Sequence, residues 1–188
     1  DGLDGQDRLR YDIFVKSAKD TLESEQFPGY LMPMNQFNNL AGFAAQLGSG
    51  TNAQPFKTVK DYDNWRARGA KLAPIMDQAI VNMREGMRQG VVQPKALMQK
   101  VLPQFDALIA DQADKTLFWG PIKNMPATFS EADKARITAE YRTMIEQEVM
   151  PAFRRMREFI AKEYLPACRD TAGMGDLLVA RTREPLLE

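Results

Sequence analysis

The sequence contains no histidine and a single cysteine, Cys168. Zinc sites in proteins are built mainly from histidine and cysteine ligands, and serine and cysteine hydrolases need an imidazole to activate their nucleophile. These 188 residues therefore hold none of those sites. Cys168 lies beside Pro166 and Arg169, and a lone cysteine in such a setting is more often a small packed side chain than a nucleophile. It can form no disulfide within the chain, so cysteine usage does not indicate whether the protein resides in an oxidising or a reducing compartment.

An excess of basic residues and a long apolar run are also lacking. Lysine plus arginine and aspartate plus glutamate both number 25, so the formal net charge is zero. Nucleic-acid-binding proteins usually carry a basic excess or stripe, and we therefore predict no nucleic-acid partner. The apolar runs are far shorter than the ~20 residues that span a bilayer, and the first residues, DGLDG, are not typical of a signal peptide. No transmembrane segment is predicted.

Helical periodicity is the strongest pattern that is present. Apolar residues recur at intervals of three and four, which places them on one face of a helix; in residues 72–87 they are Leu72, Ile75, Met76, Ala79, Ile80, Met83 and Met87. The same spacing predicts helices over residues 6–26, 35–47, 94–109 and 130–165. Pro103 predicts a kink or a break in the helix over residues 94–109, and Pro151 predicts a kink in the helix over residues 130–165. No strand-like alternation occurs. We predict one all-α domain of five or six helices, packed as antiparallel neighbours with ordered loops.

Several helix ends carry recognisable signals. Thr58 and Asp61 match a capping box, in which the threonine hydroxyl accepts from the amide three residues on and the acid accepts from the cap amide. Ser130 and Asp133 match a second box. Gly90 is a favoured residue just past a helix end, because glycine adopts the left-handed conformation without strain. These signals predict helix starts at residues 58 and 130 and a helix end at residue 90.

Four polar residues lie inside apolar stretches and are candidates for a site: Asn35, Gln36, Arg84 and Glu85. Buried polar groups must be hydrogen-bonded, so a satisfied network between helices is one interpretation. The other interpretation is that these side chains line a substrate groove. The sequence leaves both open.

Four motifs carry a resemblance to a known family: YLMPMNQ at residues 30–36, FKTVKDY at 56–62, MREGM at 83–87 and EYLPACR at 163–169. In order and spacing they resemble the helical, mostly bacterial family called domain of unknown function 885, over residues 8–169. The resemblance implies a longer protein, exported or lipid-anchored, that is similar to helical zinc metallopeptidases. In that family the zinc motif, His-Glu-x-x-Pro-Gly-His, lies in the C-terminal half.

The resemblance therefore implies that this chain is the N-terminal part of a larger protein. Its partners would be the missing C-terminal half, which holds zinc and the general base, and a peptide substrate. This segment would bind no cofactor, contribute no catalytic residue, form one wall of the substrate groove and be inactive alone. The resemblance implies a periplasmic protein or a membrane-anchored lipoprotein, and a cytoplasmic location is the alternative. The groove or polar-network candidates then become Tyr30, Asn35, Gln36, Arg84, Glu85 and Arg169.

Residues 170–188 depart from the family pattern, since GMGDL at residues 173–177 lacks the expected proline and no tyrosine follows. The final Leu187 and Glu188 are typical of a restriction-site remnant before a tag, so we predict a divergent or tag-derived tail. An alternative hypothesis is that the chain has no enzymatic role. It would then be a helical interaction module of a bacterial envelope protein that binds a partner through an exposed groove.

Overall fold

The computed structural model describes residues 2–25 and 27–173. The all-α prediction is confirmed, because the structure is 71% helical and these residues contain no strand. The contacts divide the chain into two compact units, Asp1–Tyr30 and Leu31–Glu188, which we call the N-terminal unit and the main unit. The main unit is described as far as Gly173, so the predicted tail lies largely outside the described residues.

The N-terminal unit consists mainly of α1 (Gly5–Ser24). Asp4 caps this helix, since its Oδ1 accepts from the backbone amides of Gln6 and Asp7 at 3.1 and 3.0 Å. No residue of α1 is buried. The exposed large apolar side chains of the unit are Leu3, Leu9, Tyr11, Ile13, Phe14, Leu22, Phe27 and Tyr30. Among the described residues, no helix has both the length and the apolar character that crossing a bilayer requires.

The main unit is built from helices of very different lengths. They are α2 (Leu40–Gly48), α3 (Val59–Gly69), α4 (Leu72–Gln89), α5 (Lys95–Gln99), α6 (Val101–Leu108), α7 (Gly120–Lys123), α8 (Glu131–Thr143), α9 (Met150–Phe159) and α10 (Leu165–Ala167). Short 3-10 turns lie at Gly29–Leu31, Ala113–Lys115 and Leu117–Trp119.

The core of the main unit forms where α4 packs against α9. The apolar face predicted for residues 72–87 is buried at Leu72, Met76, Ile80 and Met83, whereas Ile75 is 45% exposed and lies at the edge of that face. From the other side α9 buries a matching set, Ala152, Phe153, Met156 and Phe159. Residues of both helices belong to one continuous apolar cluster, and its burial from water is the main stabilising term of the unit.

The end signals are confirmed at the start of α3 and at the end of α4. Thr58 Oγ1 accepts from the Asp61 amide at 3.3 Å, and Asp61 Oδ2 accepts from the Thr58 amide at 2.8 Å. Gly90 ends α4 with a φ of 71°, the left-handed conformation. At α8 only half of the predicted box forms. Ser130 accepts from the Asp133 amide at 3.1 Å, but the Asp133 carboxylate accepts from the Ser130 hydroxyl at 2.6 Å instead of reaching the cap amide.

The helices are altered near both Pro103 and Pro151. The helix predicted over residues 94–109 is interrupted at Lys100, which lies between α5 and α6 and three residues before Pro103. At Pro151 the helical rod continues, because a π-helical segment, Met144–Val149, comes directly before α9. A proline lacks the amide that would bond to the carbonyl four residues earlier and its ring clashes with that carbonyl; a wider turn accommodates both effects.

Candidate functional site

A groove of about 750 Å³ opens in the main unit between residues 33–46 on one side and residues 104–117 on the other. Clefts of this volume are typical of ligand-binding sites. Its lining combines apolar side chains with carboxamides, and we call it the amide groove. The thirteen lining residues are Pro33, Gln36, Phe37, Asn38, Asn39, Leu40, Gly42, Phe43, Gln46, Gln104, Ala107, Leu108 and Leu117.

One wall of the amide groove is α2. Asn39 caps this helix, because its Oδ1 accepts from the Ala41 amide at 3.1 Å. Residues three, four and seven positions apart share a helix face, so Asn39, Gly42, Phe43 and Gln46 all border the groove. The opposite face is buried and consists of small residues, Ala41, Ala44, Ala45 and Gly48. The groove face therefore combines Gly42 and Phe43 with two carboxamides, and among the described residues it is the less covered face of the helix.

Residues 35–38 form a turn where the sequence predicts the beginning of a helix over residues 35–47. Asn35 Oδ1 accepts from the amides of Phe37 and Asn38 at 2.8 and 2.9 Å, and the Asn35 amide donates to the Asn38 carbonyl at 3.0 Å. An asparagine side chain that binds nearby amides competes with helix formation. The helix therefore begins at Leu40, which corrects the predicted boundary.

A chain of carboxamides joins the two walls of the groove. Asn39 Nδ2 donates to Gln104 Oε1 at 2.9 Å, and Gln104 Nε2 donates to the backbone carbonyl of Gln36 at 2.9 Å. Each of these two side chains keeps a second amide hydrogen. The side chains of Asn38 and Gln46 are exposed and bond to no other described residue. Asn39 and Gln104 therefore offer amide hydrogens that are already held in position, and Asn38 and Gln46 add exposed amides that no bond within the described residues holds.

Three large apolar side chains of the groove are exposed to solvent. Phe37 is 88% exposed, Phe43 61% and Leu117 53%. The other exposed large apolar residues of the described main unit are Val81, at 57%, and Ile75, at 45%. Covering a phenylalanine or leucine side chain is worth roughly 1.5–3 kcal/mol. The amide groove is therefore a place where a ligand or another polypeptide would gain apolar contact.

The groove is electrically neutral. Charged residues make up 27% of the chain, yet none of the thirteen lining residues is charged. A surface without a titratable group supplies no general acid, base or nucleophile. The arrangement is therefore suited to binding, and acid–base chemistry would have to come from groups outside it.

The predicted site residues do not gather in one place. Gln36 lines the amide groove and Asn35 shapes the turn beside it. The Gln36 side-chain oxygen is buried and accepts no hydrogen bond from the described residues. Arg84 lies on α4 and forms a bidentate pair with Glu163, at 2.7 and 2.9 Å, with its guanidinium 5.2 Å from the Phe159 ring centroid. The hydrogen bonds from Arg84 lower the pKa of Glu163.

The other predicted candidates, Glu85, Arg169 and Tyr30, lie outside the amide groove. Glu85 pairs with Arg88 and accepts from Gln89 Nε2 at 2.6 Å, both within one turn of α4. Arg169 Nε donates to the Val92 carbonyl at 3.2 Å, and its Nη1 also binds carbonyl oxygens just beyond it. Tyr30 lies in the N-terminal unit and is exposed. A functional role for these three side chains remains a prediction.

Three of the family motifs meet at the connector after α4. A Cβ added to Gly86 would lie 2.9 Å from the Leu31 carbonyl oxygen, so the glycine permits a close approach of the first and third motifs. The Gln93 amide donates to the Tyr164 hydroxyl at 3.0 Å, and its side chain donates to the Met32 carbonyl at 3.4 Å. These bonds from Gln93 join the first and fourth motifs to the connector across 61 and 71 residues of sequence.

Buried titratable groups in the main unit are structural. Burial raises the pKa of Tyr62 and of Tyr164 to about 12, and of the Cys168 thiol to about 11. The Tyr62 hydroxyl donates to the Pro121 carbonyl at 2.9 Å, and the Tyr141 hydroxyl donates to the Tyr62 carbonyl at 3.1 Å. Cys168 is therefore a protonated thiol at neutral pH, unlike a nucleophilic cysteine.

The residues given do not fit the zinc site that the resemblance implies. The chain has no histidine, and the described part contains no group of three cysteine, aspartate or glutamate side chains placed to hold a metal ion. We therefore derive no step through zinc from these residues. Any such site would need ligands from outside this sequence.

Sequence reasoning missed the residues that shape the groove, above all Asn39, Gly42 and Gln104. Phe37 and Phe43 fall within the helix predicted over residues 35–47, where their spacing with Leu40 and Leu47 is typical of one apolar helix face. One signal was present: almost every residue of α2 is apolar or small, so more than one face of the helix is apolar, and a helix of that kind is normally covered on all sides. Which face stays open depends on the packing of α6 and of residue Leu117.

Fold and site together define an all-α protein with an uncharged, carboxamide-lined groove. The chain belongs to the family described as bacterial protein of unknown function (DUF885), whose model matches residues 1–181. The match agrees with the resemblance of the four motifs and continues past residue 169 into the segment where those motifs depart from the pattern. No curated protein and no solved structure is significantly similar to this chain.

Proposed function

We propose that this chain is the helical N-terminal segment of a zinc-metallopeptidase-like protein, in which the amide groove forms one wall of the substrate groove. The observation that carries the proposal is the groove itself, with Phe37, Phe43 and Leu117 exposed beside a neutral, amide-rich surface. The peptidase class comes from the motif resemblance, which implies zinc and its general base in another part of the protein. This segment alone is inactive in the proposal and binds no metal.

The test uses the complete gene product that contains this chain. Zinc content is measured by atomic absorption, and hydrolysis is followed by mass spectrometry on a mixture of short peptides. The double variant Phe37→Ser, Phe43→Ser is compared with Val81→Ser, which changes an apolar side chain that is 57% exposed on α4. We expect the groove variant to raise KM about tenfold or more, since two apolar contacts are lost. Val81→Ser should leave KM unchanged.

Three results would contradict the proposal. If the complete protein lacks zinc and cleaves no peptide, it is not a zinc peptidase. If neither groove substitution changes hydrolysis, the groove does not bind the substrate. Stoichiometric zinc together with hydrolysis by residues 1–188 alone would contradict the division of roles.

The same groove also supports the non-enzymatic hypothesis, an interaction module of a bacterial envelope protein. An exposed apolar patch of this kind is typical of surfaces that bind another polypeptide. Binding of peptides in the groove without hydrolysis by the complete protein would favour this second function. Fractionation of cells that express the complete gene, with antibody detection, tests the proposed periplasmic or lipoprotein location.

A further inference from the structure

The neutrality of the amide groove restricts what it can bind. A charged ligand group loses much of its hydration when it enters a groove, and it regains that energy only from an opposite charge or several hydrogen bonds. None of the thirteen lining residues is charged. Uncharged ligands are therefore favoured over charged ligands of the same size.

The carboxamides of the groove match the backbone of a peptide. An asparagine or glutamine side chain has two amide donors and a carbonyl acceptor, and each peptide unit has one donor and one acceptor. Gln46 and Asn38 are exposed and bond to no other described residue, while Asn39 and Gln104 each use a single amide hydrogen in the bonds between the walls. Several amide groups of the groove can therefore form hydrogen bonds with the backbone of an extended peptide. These bonds would replace those that the peptide loses to water on binding.

Gly42 leaves room for that backbone to come close. It lies between Asn39 and Phe43 on the groove face of α2, and a Cβ built at Gly42 would meet only Asn39, at 4.0 Å. Glycine inside a helix costs roughly 0.5–1 kcal/mol relative to alanine, and nothing in the packing of the described residues requires it here. A close approach by a ligand would account for it, because a larger side chain at this position would occupy part of the groove.

From these observations we propose that the occupant of the amide groove is an uncharged, extended peptide segment with apolar side chains. The carboxamides of Asn38, Asn39, Gln46 and Gln104 bond to its backbone, and Phe37, Phe43 and Leu117 cover its side chains. The inference rests on the proposed function in naming the substrate class of that groove. It is also independent of catalysis, since binding by this chain alone tests it.

The experiment measures binding of blocked synthetic pentapeptides to the 188-residue chain by isothermal titration calorimetry. The reference probe alternates leucine and alanine and carries acetyl and amide ends. Two charged probes replace the alanines by lysine or by glutamate, and a fourth probe is methylated at alternate backbone nitrogens. We expect both charged probes and the N-methylated probe to bind at least about tenfold more weakly, the loss that corresponds to 1.4 kcal/mol.

Two variants locate the binding. Gly42→Met fills the floor of the groove, and Ala139→Met places the same side chain at an exposed position of α8 outside it. We expect Gly42→Met to weaken the reference peptide at least about tenfold and Ala139→Met to leave its Kd within about twofold. Circular dichroism confirms that both variants fold, so that a loss of binding reports on the groove.

Every other outcome overturns the inference. Equal binding of charged and neutral probes would exclude selection by the neutral lining, and equal binding of the N-methylated probe would exclude recognition of the backbone. No binding of any probe, or binding unaffected by Gly42→Met, would exclude the groove. Failure of the proposed function looks different: there, neutral peptides bind to the groove but the complete protein cleaves no peptide, or Phe37→Ser with Phe43→Ser leaves KM unchanged.

Discussion

Each face of α2 carries a glycine, Gly48 on the buried face and Gly42 on the groove face, and these two glycines lie in opposite environments. On the buried face, a Cβ at Gly48 would lie 2.5 Å from Trp65 and 2.7 Å from Phe118. On the groove face, a Cβ built at Gly42 would meet only the Asn39 side chain, at 4.0 Å, and Phe43 is exposed. The same residue type therefore makes close packing possible on one face and leaves a surface open on the other.

The contrast separates stability from binding. Substitutions on the buried face disturb aromatic side chains that belong to the core, and cores respond strongly to a change of even one methylene. A substitution at Gly42 on the groove face displaces no core side chain, so its effect should appear mainly in ligand affinity. The predictions that follow test this separation, beginning with the largest effect.

Gly48→Ala should lower the free energy of unfolding by about 1–3 kcal/mol, because the added methyl group overlaps Trp65 and Phe118 and forces one of them to move. Urea unfolding, followed by circular dichroism, measures the change. Gly42→Ala is the matched control, with the same substitution on the opposite face of the same helix. An unchanged midpoint for Gly48→Ala would show that the buried face is not closely packed.

Gly42→Ala should raise the free energy of unfolding by about 0.5–1 kcal/mol, since alanine loses less conformational entropy than glycine in a helix and has room for its Cβ here. The same variant should weaken the reference peptide described above. We therefore expect Gly42→Ala to unfold at a higher urea concentration than the parent protein and to bind the reference peptide more weakly. A fall in stability would contradict an open groove face at this position.

Arg84→Ala extends the comparison to the charged surface of α4. The Arg84 and Glu163 side chains are 53% and 44% exposed, and an exposed ion pair contributes roughly 0.2–1 kcal/mol. A double-mutant cycle with Glu163→Ala should therefore give a coupling energy below about 1 kcal/mol at moderate salt. A larger coupling would favour the other interpretation from sequence, a buried network between helices.

Asp61 should give the smallest effect, one that depends on pH. Backbone amides of Thr58 and Lys57 donate to its carboxylate and lower its pKa below the ordinary 3.8. A lowered pKa means that stability is present above the unfolded-state pKa and is lost as the pH falls through the folded-state pKa. The urea concentration at the midpoint of unfolding should therefore decrease as the pH is lowered below about 4. The decrease should be smaller in Asp61→Asn than in the parent protein.

The control for this pH series is Glu131→Gln, which removes an exposed first-turn carboxylate of α8 that does not cap the helix. Its acid sensitivity should follow that of the parent protein. If Asp61→Asn and Glu131→Gln behave alike, the capping bonds at Asp61 contribute no measurable pH dependence.

The helical class and several helix ends could be predicted because their causes are local in sequence. Thr58 and Asp61 are three residues apart and complete their box without help from the rest of the chain. Gly90 ends α4 because of its own backbone freedom. The buried face of α4 also followed from periodicity, apart from Ile75. The family, too, could be identified from short motifs in a fixed order.

Only the tertiary structure decided which apolar face would remain uncovered. Phe37 and Phe43 have the same periodic signature as the buried Phe105, and periodicity states which side chains share a face without stating what lies opposite. The amide groove exists because Gln104, on α6, comes to within hydrogen-bonding distance of Asn39 across 65 residues of sequence. Local propensity carries no information about such a long-range approach, and the packing of the whole main unit determines it.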